Sequence, residues 1–361
     1  MTRFPGKLAI QQRVLPPYRA PFFDLLASVC DGGMSLFIGL PRPSEGITTT
    51  NQLKIADHYL GQNIHLFGGA LYLCYQRGLV DWLTNWNPDA LIVEANPRYL
   101  STPSAIKWMH KQHKPVIGWG LGSPPASGFQ KQRRRSFINQ FDALIAYSQR
   151  GADEYAALGF PRRRIFVAHN SVTMPPSLVI PDRPSTFNLP PTILFVGRLQ
   201  ARKRVDLLLR ACAELDGKPR LILVGDGPER ETLEALASKI YPGAEFIGAR
   251  HGAELNTYFT EADLFVLPGT GGLAIQEAMS YGLPVIVAQG DGTQADLVRK
   301  ENGWQIPPDD FEALVSTMKD ALSDVARLRR MGAESYRIVK EEINIEKMVE
   351  RFVTALHRLN H

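Results

Sequence analysis

The sequence predicts an α/β protein of two Rossmann-like domains facing each other across a cleft. Three observations carry this. Short apolar runs rich in β-branched residues alternate with stretches of helical period almost from end to end. The alternation stops once, at a proline-rich stretch, and then restarts. The 361 residues give each half ample length for its own core.

In the first half the candidate strands are Leu8–Val14, Met34–Leu40, Ala90–Ala95, Val116–Trp119, Ala143–Tyr147 and Ile165–Ala168. Amphipathic stretches separate them: Pro21–Val29, Leu71–Trp86, Pro103–His113, Gln130–Phe141 and Gly151–Leu158. In the second half the strands read Thr192–Val196, Arg220–Val224, Glu245–Ile247, Leu264–Leu267, Val285–Ala288 and Trp304–Ile306. Strands alternating with helices imply right-handed βαβ units and parallel sheets. The stretch Met174–Pro191 is dense in proline, at Pro175, Pro176, Pro181, Pro184, Pro190 and Pro191. Proline removes backbone donors and fixes φ, so this stretch reads as an extended linker. The expected divisions are 1–172, a linker at 173–191, 192–342, and a terminal segment at 343–361. The helix Ile345–Leu359 in that last segment, with Met348, Phe352, Val353 and Leu356 at helical spacing, suits packing on either domain.

Composition narrows the function. Hydrophobic content of 44% and charged content of 21% suit a soluble globular chain. No apolar run approaches the ~20 residues of a membrane span, and the first residues lack a signal-peptide pattern. Cys30, Cys74 and Cys212 are too scattered for a disulfide framework or a metal knuckle, so the expected compartment is the cytoplasm. The net charge of +5 is concentrated at Lys131–Arg135 and Arg162–Arg164. Such clusters attract anionic lipid headgroups or other phosphates, although a solvated helix face reads the same way. No aromatic-interleaved platform accompanies them, which argues against nucleic acid.

Three segments carry chemistry. The strand ending at Gly197 runs into a loop bearing Arg198 and Lys203, and a helix follows from Val205. Two cations beside helix N-terminal N–H groups suit a diphosphate, and equally suit a solvated βα loop. Gly225-Asp226-Gly227-Pro228 after the next strand reads chiefly as a structural turn. The richest segment runs from Pro268 through Gly269, Thr270, Gly271, Gly272 and Leu273 into a helix bearing Glu277 and closing at Gly282. Its glycines let backbone N–H groups approach a phosphate, and one carboxylate on that wall matches a ribose diol. The alternative is a structural turn beside a solvated glutamate.

These segments resemble the retaining GT-B glycosyltransferase family 4. VGR198 with Lys203 shortly after it, GDGP at 225–228, ADLFVLP at 262–268, GGLAIQEAMSYGLPVI at 271–286 and NG at 302–303 match in order and spacing through the second half. The first half matches more loosely, through VLPPYRAPFFDLLA at 14–27, DALIVEANPR at 89–98, KPVIGWGLGSP at 114–124 and FDALIAYSQRGADEY at 141–155. The resemblance implies a GT-B architecture and sugar transfer with retention. It implies no metal or other cofactor, a UDP, GDP or dTDP sugar as donor, and a last helix that crosses back onto the first domain.

Carried over residue by residue, Arg198 and Lys203 would grip the diphosphate and Glu277 the ribose. Gly248 and Arg250 would lie beside the base, and Gly197, Gly269, Thr270, Gly271, Gly272 and Leu273 would complete the donor wall. Tyr18, Arg19 and Trp119 would face the acceptor, expected to be a glycan or lipid-linked saccharide. Two departures stand out: Gly269 occupies the place of the family's first motif glutamate, and Gly118–Ser123 lacks its active-site histidine. Glu94 and Asn96 are then the nearest polar candidates for the cleft. Phe22 and Phe23, if exposed beside basic neighbours, would dip into an anionic membrane; otherwise they are core. An epimerase, a hydrolase and a non-catalytic nucleotide-sugar-binding subunit fit the same donor residues.

Overall fold

The computed structural model describes residues 2–176, 180, 183–187, 190–290 and 292–359. The chain divides into two compact units, Met1–Val172 with Ile345–His361, and Thr173–Asn344.

Unit 1 contains β1 (Leu8–Gln11), β2 (Met34–Ile38), β3 (Asp57–Leu60), β4 (Gln62–Leu66), β5 (Leu73–Arg77), β6 (Ala90–Glu94), β7 (Val116–Gly120), β8 (Ala143–Ala146) and β9 (Ile165–Val167). Seven of these form a parallel sheet in the order β3-β2-β1-β6-β7-β8-β9, and β4 and β5 pair as an antiparallel hairpin. The strand order reverses between β1 and β6, so the loops that follow those two strands diverge and leave a crevice at their carboxyl ends.

The helix Ile345–Leu359 packs within unit 1. Phe352 is fully buried and meets the rings of Phe22 and Trp119 with centroids 5.0 Å away in each case. Burying one such ring stabilises by roughly 2–3 kcal/mol. Phe22 and Phe23 are likewise fully buried, with ring centroids 5.2 Å apart, so of the two readings the core one holds and neither ring is placed to dip into a membrane. The expected helix over Leu71–Trp86 begins only at Leu79, because Leu73–Arg77 pairs with β4 and Gly78, at φ +86°, breaks the chain direction.

Unit 2 contains β10 (Thr192–Val196), β11 (Arg220–Val224), β12 (Glu245–Gly248), β13 (Leu264–Leu267), β14 (Val285–Ala288) and β15 (Gly303–Ile306). All pair in parallel in the order β12-β11-β10-β13-β14-β15. This is the Rossmann order, with its switch point between β10 and β13. The central strands are apolar runs, as in a sheet covered on both faces: Leu264–Leu267 and Val285–Ala288 are buried throughout, whereas β12 at one edge is part-buried and β15 at the other exposes Gln305. Of the expected linker, residues 177–179, 181, 182, 188 and 189 lie outside the described residues. Arg183 is tied into unit 2, donating to the carbonyls of Ala262, Tyr281 and Phe259 at 2.9 Å each.

Candidate active site

In unit 2 the loops after β10 and β13 are neighbours because their strands are, and backbone hydrogen bonds stitch them together. Thr270 N–H donates to the Arg202 carbonyl at 3.0 Å. The Lys203 ammonium donates to the Thr270 and Gly271 carbonyls at 2.9 Å each, and Arg202 Nη1 donates to the Thr270 carbonyl at 3.1 Å. Lys203 is thus a buried cross-link between the two loops, 6% exposed, with two of its three N–H groups directed at loop carbonyls. Burial, with Arg202 beside it, brings its pKa down to about 8. Arg198 is exposed at the end of β10.

The geometry explains Gly269. A Cβ there would lie 2.2 Å from the Arg202 carbonyl oxygen and 2.4 Å from the Lys203 carbonyl carbon. Any side chain would force the loops apart, because the turn at 201–203 already occupies the space it would need. Gly272 is equally confined, its Cβ position falling 2.4 Å from Leu267 Cδ2. Leu273 caps the helix Ala274–Ser280, and Glu277 stands in its first turn. The Glu277 carboxyl is part-buried, and burial raises its pKa above the ordinary glutamate value.

The GDGP turn supports the same wall. Leu199 N–H donates to the Asp226 carbonyl at 2.9 Å and Gly225 N–H to the Gly248 carbonyl at 2.9 Å. A Cβ on Gly225 or Gly227 would strike the carbonyl oxygen of Gly197 or Leu199, at 1.9 and 2.2 Å. The turn is structural: it fixes the Arg198 loop from below and joins it to Gly248 at the end of β12. Arg250 is exposed just beyond.

In unit 1 the ends of β1 and β6 flank the switch-point crevice, and a hydrogen bond links them at its floor. Arg13 N–H donates to Glu94 Oε2 at 3.3 Å, and the Arg13 guanidinium forms a 2.8 Å ion pair with Glu45. Burial raises the Glu94 pKa, while a hydrogen bond with Tyr99 and the charges of Arg13 and Arg19 pull the other way. The Asn96 side chain is engaged locally, its Oδ1 accepting from Arg98 N–H at 3.1 Å. Tyr18 is exposed, whereas Arg19 is 7% exposed, its guanidinium 5.3 Å from the Trp119 ring centroid and 5.8 Å from that of Tyr147. Trp119 itself is 1% exposed among Phe22, Phe23, Tyr147 and Phe352. This corrects its assignment as an acceptor-facing residue: strand alternation turns the indole into the core, where it braces Arg19.

Sequence reading missed the chain of amides beside Glu94. Gln11 Oε1 accepts from Glu94 N–H at 3.0 Å, Gln11 Nε2 donates to Gln76, and Gln76 Nε2 donates to Asn63 Oδ1 at 3.0 Å. The signal available was an amide at the end of an otherwise apolar strand, Gln11 in Leu8–Gln11.

Residues 190–324 match the family described as "Glycosyl transferases group 1". A sulfoquinovosyl transferase of Arabidopsis thaliana is 34% identical over 37% of this chain and 27% of its own length. A GDP-mannose-dependent alpha-mannosyltransferase of Corynebacterium glutamicum is 36% identical over 41% of this chain and 35% of its own length. The chain thus spans well under half the length of these curated relatives. A lipopolysaccharide core biosynthesis glycosyltransferase of Rhizobium meliloti aligns over 76% of this chain and 87% of its length at 24% identity. Among solved structures, an Anabaena protein in complex with UDP superposes with TM-score 0.73 at 16% identity, covering 99% of this chain and all of that one. A lipopolysaccharide outer core galactosyltransferase superposes with TM-score 0.69 at 18% identity, over 98% and 99%. At these identities the likeness shows the fold, which is GT-B.

Proposed function

From a GT-B chain whose residues 190–324 belong to the glycosyl transferases group 1 family, we propose a retaining glycosyltransferase. It moves a sugar from a UDP, GDP or dTDP sugar to a hydroxyl of a glycan or lipid-linked saccharide, acts in the cytoplasm and needs no metal or other cofactor. The observation that carries the reading is the stitched pair of loops at the unit 2 switch point: Arg198 and Lys203 on one, Gly269–Gly272 on the other, and Glu277 just beyond. The similarity to mannosyltransferases and to a UDP-bound structure supports it.

In this reading Arg198, the remaining Lys203 N–H and the backbone of Gly269–Gly272 hold the diphosphate. Glu277 accepts hydrogen bonds from the ribose hydroxyls, and the base lies along Gly248–Arg250. The donor sugar meets Thr270 and the Arg202 guanidinium, with Leu273 closing the wall and Gly197 shaping the loop's exit. As the anomeric carbon–oxygen bond breaks, its electron pair passes to the leaving diphosphate, where the cations stabilise the growing charge. The acceptor oxygen then bonds to the anomeric carbon from the same face, and a phosphate oxygen takes its proton. On the acceptor side, Tyr18, Arg19 and Asn96 frame the crevice and Glu94 orients the hydroxyl.

A thermal-shift panel of nucleoside diphosphates and their sugar conjugates, run in chelator, tests the donor half. One nucleotide should raise the melting temperature selectively, and Arg198→Ala should weaken that rise. No shift with any nucleotide refutes the reading. Nucleoside diphosphate release that needs no acceptor would instead mark a hydrolase.

A further inference from the structure

The β4–β5 hairpin has a feature that its fold does not require. A two-stranded hairpin is marginal by itself in water, and this one is bolted along its length. Asn63 Nδ2 donates to the carbonyls of Arg13 at 2.7 Å and Leu40 at 2.9 Å. The Ser101 hydroxyl accepts from Gln76 N–H at 2.7 Å and donates to the Gln76 carbonyl at 3.1 Å. Cys74 pairs its backbone with Arg98 and Leu100 at 3.0 and 2.9 Å. A hairpin held this firmly nevertheless carries large exposed apolar side chains at its tip. Phe67 is 68% exposed and Leu71 74% exposed, and a Cβ on Gly69 between them would touch nothing within 4 Å.

Facing the tip across a groove of about 760 Å³ is the helix Gly128–Ile138. It carries Lys131, Arg133, Arg134 and Arg135 and no acidic residue. Arg98, Arg133 and Arg134 line the groove opposite Phe67 and Leu71, and no carboxylate is among its described lining residues. Phe129, 77% exposed at the start of that helix, lies 6.0 Å from the Arg133 guanidinium. Clustered exposed apolar side chains mark an interaction surface. Large apolar side chains ringed by cations, with no anions among them, fit one partner chemistry: an anionic lipid surface, whose headgroups meet the arginines while the rings enter the acyl boundary.

We propose that the hairpin tip and the helix Gly128–Ile138 form a membrane-docking face for anionic bilayers. This face is distinct from the buried Phe22 and Phe23, and the proposal stands apart from the donor chemistry of unit 2. It is reversible docking: among the described residues no helix is long and apolar enough to cross a membrane.

The test is co-sedimentation of the full chain with vesicles of phosphatidylcholine alone, or of phosphatidylcholine mixed with phosphatidylglycerol, at low and high salt. The chain should bind the anionic vesicles, release at high salt, and ignore the neutral ones. Phe67→Ser with Leu71→Ser, and separately Arg133→Glu with Arg134→Glu, should each weaken binding about tenfold or more. These positions are exposed or part-buried, and nucleotide-induced thermal shift in the same variants reports that folding and donor binding persist. No binding at low salt overturns the proposal, as does binding that both variants leave unchanged. Sedimentation velocity covers the other occupant: a dimer that Phe67→Ser with Leu71→Ser dissolves would assign the face to a second copy and overturn the lipid assignment.

Discussion

Raising the pH from 7 to 9.5 should switch off nucleoside diphosphate binding by discharging one residue. Burial, with Arg202 adjacent, sets the Lys203 pKa at about 8, below the 10.5 of an ordinary lysine. The ammonium form is the one that attracts a diphosphate, so binding draws a proton onto Lys203 and weakens as that proton leaves. If only the charged form binds, the Kd rises about twofold at pH 8, about tenfold at pH 9 and roughly thirtyfold at pH 9.5 relative to its low-pH limit. The window starts at pH 7 because the last phosphate ionisation, with pKa near 6, is then largely complete.

Isothermal titration calorimetry with a metal-free nucleoside diphosphate, in buffers of different ionisation enthalpy, measures both the affinity and the proton uptake. The stability of the free chain should move the other way. Between about pH 8 and 10.5 the unfolded chain holds the proton that folded Lys203 has lost, so this group's contribution to folding stability rises with pH. Lys203→Arg keeps a charge that does not titrate in this range and should flatten the affinity profile, whatever its absolute affinity. An affinity constant from pH 7 to 9.5 in the native chain, or a profile unchanged in Lys203→Arg, would refute the assignment of Lys203 to the diphosphate.

Three further outcomes are expected. Glu277→Gln should reduce the preference for a ribonucleotide over its 2′-deoxy analogue about tenfold or more in competition binding. Because burial raises the native carboxyl's pKa, the charged form is disfavoured in the fold at neutral pH, so the same variant should melt at or above the native temperature at pH 7. Gly269→Ala should cost about 1–3 kcal/mol in denaturant unfolding, since its Cβ meets backbone atoms of Arg202 and Lys203, and Gly269→Glu should lose more rather than restore a sugar contact. Arg183→Ala leaves the carbonyls of Ala262, Tyr281 and Phe259 without their donor and should cost roughly 2–4 kcal/mol, read in the same experiment.

Unit 2 was legible because its information is local. The strands that carry the site, β10 and β13, are apolar runs, and the cations and glycines follow them directly, so strand–loop–helix order already puts them on the carboxyl edge. Unit 1 was less so. Asp57–Leu60 is exposed and Gln62–Leu66 only part-buried, neither with a β-branched pattern, and Leu71–Trp86 mimics one amphipathic helix although Gly78 splits it into a strand and a helix. Exposure of an aromatic residue was the weakest inference. Phe22 and Trp119 are core because the helix Ile345–Leu359, from the opposite end of the sequence, brings Phe352 against them, and Phe23 packs on both. The groove between Leu71 and Arg133 joins three separate segments and leaves no trace in any of them. Nor could sequence explain Gly269, whose small size matters only because the turn at 201–203 passes against it.

Lys203 shows why a charged group is buried at the centre of this wall. A solvated lysine would attract a phosphate and keep an ordinary pKa, but it would leave the glycine-rich loop untethered. Burying the ammonium against two carbonyls fixes the loop at the cost of part of its basicity. The two roles separate on deprotonation: a neutral amine retains two N–H bonds, enough for Thr270 and Gly271, while the third N–H and the charge are lost together. The loops should therefore hold their arrangement above pH 8 while the anion site empties. Hydrogen exchange at Thr270 N–H, which donates to Arg202, should keep its protection over the pH range in which nucleotide affinity falls, once corrected for the intrinsic pH dependence of exchange. Loss of both together would mean that the charge, rather than the hydrogen bonds, holds the wall in place.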